Sequence, residues 1–329
     1  MEINKEKDNK SKGNIFNLIK LLLIIFYIFI HTKSISIRKN KEEKEKDYKY
    51  FFCFTSMGKF ENMYIKELID YYKKIGVNKF YIGDNNDINQ EKLEDILKED
   101  VLSGLVEVID ITGIRKDQTE FFGEIYQLHK TECKWMSFYD FDEYLEFRNQ
   151  SNMTIQNYFS NPKFEKCHVV IVNWVIYNDN NLVKYDNRPM HERFTNGLFH
   201  VETNRFFKSM IKGNLYWNPW VYDQTSHRPK HQLRTCDSNG DRAKTFNDVL
   251  KPPILDNVYL KHYATKTVEE YVNKVKRGHP SQKLRLDVWV GNFFQFNEVT
   301  EEKVKYIEDN LNITLEKYHY VFKNKNKHL

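Results

Sequence analysis

The chain reads as an α/β fold built on an open, mostly parallel sheet flanked by helices, with a small antiparallel extension. Three observations predict it. Between Tyr50 and Tyr139 four short apolar strands alternate with three stretches of helical periodicity. The connections have the length that βαβ crossovers need. The fourth strand, Trp135-Met-Ser-Phe-Tyr139, runs directly into the acidic turn Asp140-Phe-Asp142-Glu143. In open α/β sheets, ligands bind beyond the C-terminal ends of the strands.

The elements follow in order. Tyr50 to Ser56 is a compact apolar strand, with Met57-Gly58-Lys59 as its loop. From Glu61 to Ile75, apolar residues recur at helical spacing (Met63, Tyr64, Leu68, Tyr71, Tyr72, Ile75), and Gly76 ends the run. Lys79 to Asp84 is the second strand, closed by Asp84-Asn-Asn-Asp87. A helix over about 90–100 leads to a third strand, Leu105 to Ile109, and a helix over about 118–130 to the fourth. Beyond it, Cys167 to Trp174 and Arg205 to Lys208 read as strands. The aromatic run Leu215 to Tyr222 completes an antiparallel extension, and a helix over about 300–310 closes the fold.

A chain of 329 residues, 40% hydrophobic and 15% aromatic, can bury one large core or two modest ones. Of its 51 basic and 46 acidic residues, 12 and 7 lie within 1–49, leaving 39 of each sign beyond. The net charge of +5 therefore belongs to the leader and is no argument for nucleic acid, which is not expected as a partner.

The leader divides into a polar tail (1–13), an apolar segment (14–32) and a charged stalk (33–49), ahead of a main domain at 50–320 and a basic tail at 321–329. The apolar segment is borderline for a bilayer and leaves two readings: a single-pass signal anchor, or a cleaved signal peptide ending near Ser34-Ile-Ser36. The anchor is expected, giving a single-pass membrane protein. The lysines after the segment favour a cytoplasmic domain, as on the inner face of a bacterial membrane.

Two carboxylates at a strand end suit a hard divalent ion shared with substrate phosphates, so Asp140 and Asp142 are metal candidates. Thr55, Asp84 and Asn85, at other strand ends, should converge on the same crevice. No G-x-G-x-x-G follows the first strand and no G-x-x-x-x-G-K-[ST] occurs, so the dehydrogenase and P-loop readings lose their support.

The string from Glu61 through Glu67-Leu-Ile-Asp-Tyr-Tyr to Gly83-Asp-Asn85 resembles the opening of glycosyltransferase family 92, "E-yl-x-E-W-i-x-Y-h-x-x-x-G-v-x-x-f-y-i-y-D-N". Trp135 to Glu143 resembles its "W-x-x-x-x-D-x-D-E-F". Lys261-His-Tyr-Ala-Thr-Lys266 to Tyr271, with Lys276-Arg-Gly278, is similar to its "H-Y-x-x-K-S-x-E-E-F … K-x-x-R-G". Phe294 to Val299 resembles the segment that follows. The strings stand in the expected order over about 50–310; Leu68 replaces a Trp and Tyr144 a Phe.

The resemblance implies a GT-A fold, a nucleotide-sugar donor, a glycan or other hydroxyl acceptor, and a divalent metal, Mn2+ or Mg2+. It implies metal ligation by Asp140, Asp142 and His262, and places Glu143 as a residue that orders the motif. Thr55, Asp84, Asn85, Lys208 and Lys266 become nucleotide-sugar contacts, although Asp84 reads equally as a turn residue. It also favours a Golgi lumen and type II topology over the cytoplasm. For the catalytic base, Asp223, Glu202 and Asp237 are the available carboxylates. Asp223, in the aromatic segment ahead of His227, is the one expected.

Two rivals stand beside this reading: a nucleotidyltransferase on the same scaffold, and a membrane-anchored sugar-binding module without catalysis. The four cysteines have no motif spacing, and Cys53 and Cys133, in or beside buried strands, read as core residues rather than partners. Asn149, Asn152 and Asn312 begin glycosylation sequons.

Overall fold

The computed structural model describes residues 47–113, 118–215, 233–245, 249–278 and 285–319. The expected repeat of strand and helix is present: β1 (Tyr50–Gly58), α1 (Asn62–Lys74), β2 (Lys79–Asp84), α2 (Leu93–Ile96), α3 (Lys98–Leu102), β3 (Val106–Asp110), α4 (Gln118–His129) and β4 (Cys133–Phe138). The helix expected over 90–100 is two short turns, α2 and α3, broken at Leu97. In α1 the buried stripe is Tyr64, Ile65, Leu68, Ile69 and Tyr72, while Met63 points to solvent. Gly76, at φ +97°, takes the left-handed turn that ends the helix without the penalty a side chain would meet.

The second half supplies β5 (Glu143–Phe147), α5 (Ile155–Phe159), β6 (Val169–Tyr177), α6 (Met190–Arg193), β7 (Gly197–Leu198), β8 (Phe207–Lys212), β9 (Thr235–Cys236) and β10 (Val258–His262). Three helices close it: α7 (Val268–Arg277), α8 (Leu286–Phe294) and α9 (Glu301–Leu311). The strand order is β3-β2-β1-β4-β8-β6-β10-β5. From β3 to β4 every pairing is parallel. β8 is antiparallel to both of its neighbours, β4 and β6, and β5 runs antiparallel to β10. The antiparallel part is thus continuous with the parallel half, joined through the centre of the sheet.

Side chains alternate across the strands. On one face Phe52, Phe54, Phe80 and Ile82 pack with Tyr64, Leu68 and Tyr72 of α1. On the other, Cys53, Tyr81, Met136 and Phe138 meet Phe121, Phe122, Ile125 and Tyr126 of α4. A separate apolar cluster joins α7, α8 and α9 through Val272, Trp289, Phe293 and Ile307.

The cysteines correct the sequence reading. Cys53 and Cys133 are core residues and also partners: they form a disulfide between adjacent strands β1 and β4. Cys167 and Cys236 form a second one, from the entry of β6 to β9. Spacing alone does not reveal connectivity; the parallel pairing of β1 with β4 is what brings residues 80 apart in sequence together. The described residues from Tyr48 onward form one compact unit. The apolar leader segment and the basic tail lie outside the described residues. Among those described, no helix is long and apolar enough to cross a membrane.

Candidate active site

The acidic turn between β4 and β5 sits beyond the C-terminal end of β4, where the crevice is expected. Phe141, its middle residue, is buried against Gly58. That insertion turns Asp140 and Asp142 in different directions. Asp140 accepts hydrogen bonds from Lys208 Nζ (2.8 Å) and Gln118 Nε2 (2.5 Å). Asp142 faces the other way, with His262 Nε2 at 3.6 Å from Oδ1 and Lys266 and Lys274 Nζ at 3.5 and 3.7 Å from Oδ2. Burial alone would raise the Asp142 carboxyl, but Lys266, Lys274, His262 and Lys208 outweigh it and hold the group below its usual range.

Glu143 is fully buried beneath this turn. Its Oε2 accepts from the Asp140 backbone N–H (2.8 Å) and lies 3.7 Å from Lys208 Nζ. Burial pushes its carboxyl up, against the pull of Lys208. It orders the turn from below. Lys208, also fully buried, neutralises Asp140 and Glu143 rather than facing the crevice. β8 puts it there by pairing between β4 and β6.

His262 ends β10, with its ring against Trp174 at 4.4 Å between centroids. Burial drives its pKa down to about 4, so near neutral pH the imidazole is uncharged and offers a lone pair. Lys266 follows in the link to α7. Its backbone is left-handed (φ +55°), its side chain is buried, and its Nζ lies 4.7 Å from the Tyr64 ring centroid. Thr267 then caps α7 in a reciprocal capping box with Glu270.

The other expected contacts fall differently. Asp84 is buried with both oxygens occupied by backbone N–H groups, Oδ1 from Asn86 and Oδ2 from Leu93. Here it builds the turn after β2. Asn85 is partly exposed at the strand end. Thr55 is fully buried three residues before the end of β1, because the strand runs on to Gly58. Asp223 lies outside the described residues. Glu202 is engaged by Arg205 and Lys251 on the surface, and Asp237 accepts from Asn239 and Asp241 within its own turn.

Sequence reasoning missed Lys274. It lies in the last turn of α7 within reach of Asp142, and its Nζ also donates to the Ala264 carbonyl (3.1 Å). It missed too how α1 ties the motifs together. Tyr64 OH donates to Glu270 (2.8 Å), Tyr144 OH donates to Glu67 (3.1 Å), and Tyr72 OH donates to the Glu143 carbonyl (2.8 Å). Part of the signal was present, since Tyr64 and Tyr72 belong to the buried stripe of α1 and Glu67 follows Tyr64 by three residues.

For a divalent ion, the donor set is small. Among the described residues no group of three His, Cys, Asp or Glu lies close enough to hold one. Asp142 Oδ1 and His262 Nε2, 3.6 Å apart, are compatible with two ligands on one ion. A carboxylate oxygen and a neutral imidazole nitrogen, completed by phosphate oxygens and water, fit Mn2+ or Mg2+ chemically. Asp140 is directed at Lys208 and Gln118 instead.

The fold is thus an open α/β sheet flanked by helices, with a buried acidic turn, an imidazole and two lysines gathered beyond its strand ends. The chain belongs to glycosyltransferase family 92, whose model matches residues 48–315. A family 92 protein from rice (Oryza sativa subsp. japonica) is 27% identical over 122 residues, 35% of this chain and 20% of the rice protein. The chain thus matches about a fifth of that relative's length. Among solved structures, S. aureus TarS 1–349 is similar at a TM-score of 0.32 and 11% identity, over 84% of this chain and 73% of that one. TarS 1–349 in complex with UDP is similar at 0.28 and 11%, over 49% and 46%.

Proposed function

We propose that this protein transfers a sugar from a nucleotide-sugar donor to a hydroxyl of a glycan acceptor. The observation that carries the reading is Asp142, held at the strand end between a neutral imidazole and two lysines. Asp142 and His262 would hold a divalent ion, Mn2+ or Mg2+, which when bound supplies Lewis-acid neutralisation of the leaving diphosphate. Glu143 and Lys208 hold the turn in place from the protein side, so the donor meets a site that needs little reorganisation. Asn85, at the end of β2, is available to the nucleoside.

We also place the domain in an oxidising lumen, as a Golgi type II protein anchored by the segment at 14–32. Two closed disulfides support that side of a membrane over the cytoplasm. Asn149, Asn152 and Asn312 are all exposed, which suits sequons met by lumenal machinery.

The test is hydrolysis and transfer with a panel of nucleotide sugars, in Mn2+ or in chelator, for the unmodified protein and for Asp142→Ala. Turnover of one donor, lost in the variant, is expected. Absence of turnover and of nucleotide binding with every donor in Mn2+ would overturn the reading.

A further inference from the structure

The acidic turn meets its cations on two sides. Lys208 lies between Asp140 and Glu143 on one side, and Arg277 approaches Glu61 at 3.5 Å. Two ammonium groups, Lys266 and Lys274, share the single carboxylate of Asp142. Together they place two ammonium groups beside the acidic turn, where a donor's diphosphate would lie. Neither lysine makes a short contact with Asp142, at 3.5 and 3.7 Å, so both keep donors for another anion.

The local backbone supports a built site. Lys266 holds a left-handed φ of +55°, a conformation that costs a non-glycine residue free energy and calls for a reason. That turn aims its ammonium over the Tyr64 ring toward Asp142. The N-terminus of α7 is not the anion donor. The Thr267, Val268, Glu269 and Glu270 amides are already bonded to Glu270, Leu182, Val183 and Thr267. Any anion recognition on this side falls to the two side chains.

We propose that Lys266 and Lys274 form a permanent diphosphate seat, so that the protein binds the diphosphate group of its nucleotide in the absence of a divalent ion. The proposal rests on the glycosyltransferase reading and assigns Lys274 a binding role in it. Asp142 keeps the two ammonium groups apart and oriented while the site is empty of substrate.

The experiment is calorimetric titration of the detergent-solubilised full chain with UDP, GDP and inorganic pyrophosphate, first in EDTA and then in Mn2+. The same titrations are run on Lys274→Gln, Lys266→Gln and Lys274→Arg, with thermal unfolding of each to establish folding. Binding of at least one probe in EDTA is expected, weakened about ten- to hundredfold in each Gln variant, the loss of a charge-assisted contact. Lys274→Arg should retain it. Binding seen only in Mn2+ would overturn the proposal and leave the glycosyltransferase reading standing, as would EDTA binding indifferent to the folded Gln variants. No binding of any probe in either condition would overturn both.

Discussion

Gly58 and Phe141 are packed so closely that a β-carbon on the glycine would lie 2.3 Å from Cε2 of the ring. The glycine ends β1 and the phenylalanine sits between the two aspartates, so this contact sets the height of the acidic turn over the sheet. Phe141 is buried and cannot swing into solvent without losing its packing. Gly58→Ala therefore displaces the ring and both neighbouring carboxylates. The expected cost is about 1–3 kcal/mol of stability, as for other overpacked cores. Donor turnover should fall further than stability explains, because Asp142 moves relative to His262. Thermal unfolding and turnover on the same preparation check this; unchanged activity would show that the turn is not set by this contact.

Tyr72 tests the coupling of α1 to the site. Its hydroxyl donates to the Glu143 carbonyl and accepts from the Leu145 N–H at 3.0 Å, bridging the start of β5. Tyr72→Phe keeps the ring and removes the bridge. Orphaning these buried backbone groups should cost roughly 2 kcal/mol. Denaturant unfolding measures it, and a loss under about 0.5 kcal/mol, the low end for one hydrogen bond, would mean that other groups take over.

The α1 bridge shows what the sequence made legible. The first four strands and their helices were readable because burial on both faces writes a local pattern, and the Asp-x-Asp turn was readable because it interrupts that pattern. β8 was harder. Its insertion between β4 and β6 is a long-range pairing, and nothing within Phe207–Lys212 records its neighbours. That placement is also why Lys208 faces Asp140 from inside the protein rather than a ligand from the crevice. Lys274 escaped notice because a lysine on an amphipathic helix reads as a solvated face until the fold shows what it meets. Asp84 could be read as a ligand contact or a turn residue from sequence, and its two backbone hydrogen bonds give the turn.

The disulfides predict a redox dependence. Cys53–Cys133 closes a loop of about 80 residues and Cys167–Cys236 one of about 70. Removing either by a paired Cys→Ala change should cost about 2–4 kcal/mol. Peptide mapping of unreduced protein from a secretory host should recover both pairs. Four free thiols in a folded, active preparation would contradict the pairing and weaken the lumenal placement with it.

Arg193 and Glu270 form a buried ion pair at 2.8 Å beneath Lys266. Glu270 also accepts from Tyr64 and closes the α7 capping box, so one carboxylate joins α1, α6 and the turn that carries Lys266. Burial works to raise its pKa, but Arg193 and the hydrogen bonds outweigh it and hold the group below its ordinary 4.5. A depressed carboxylate binds fewer protons folded than unfolded. Its contribution is therefore complete above about pH 4.5 and is lost as pH falls through the lower folded value. Acid unfolding of the native protein should steepen below that point, and Glu270→Gln should flatten the slope. Arg193→Met, which strands the carboxylate, should cost about 3–5 kcal/mol, while Arg193→Met with Glu270→Leu should recover much of it. Diphosphate binding should not return in the double variant, because the recovered stability comes from apolar packing and the turn presenting Lys266 has lost its cap. Restored binding there would show that Lys266 is positioned without Glu270.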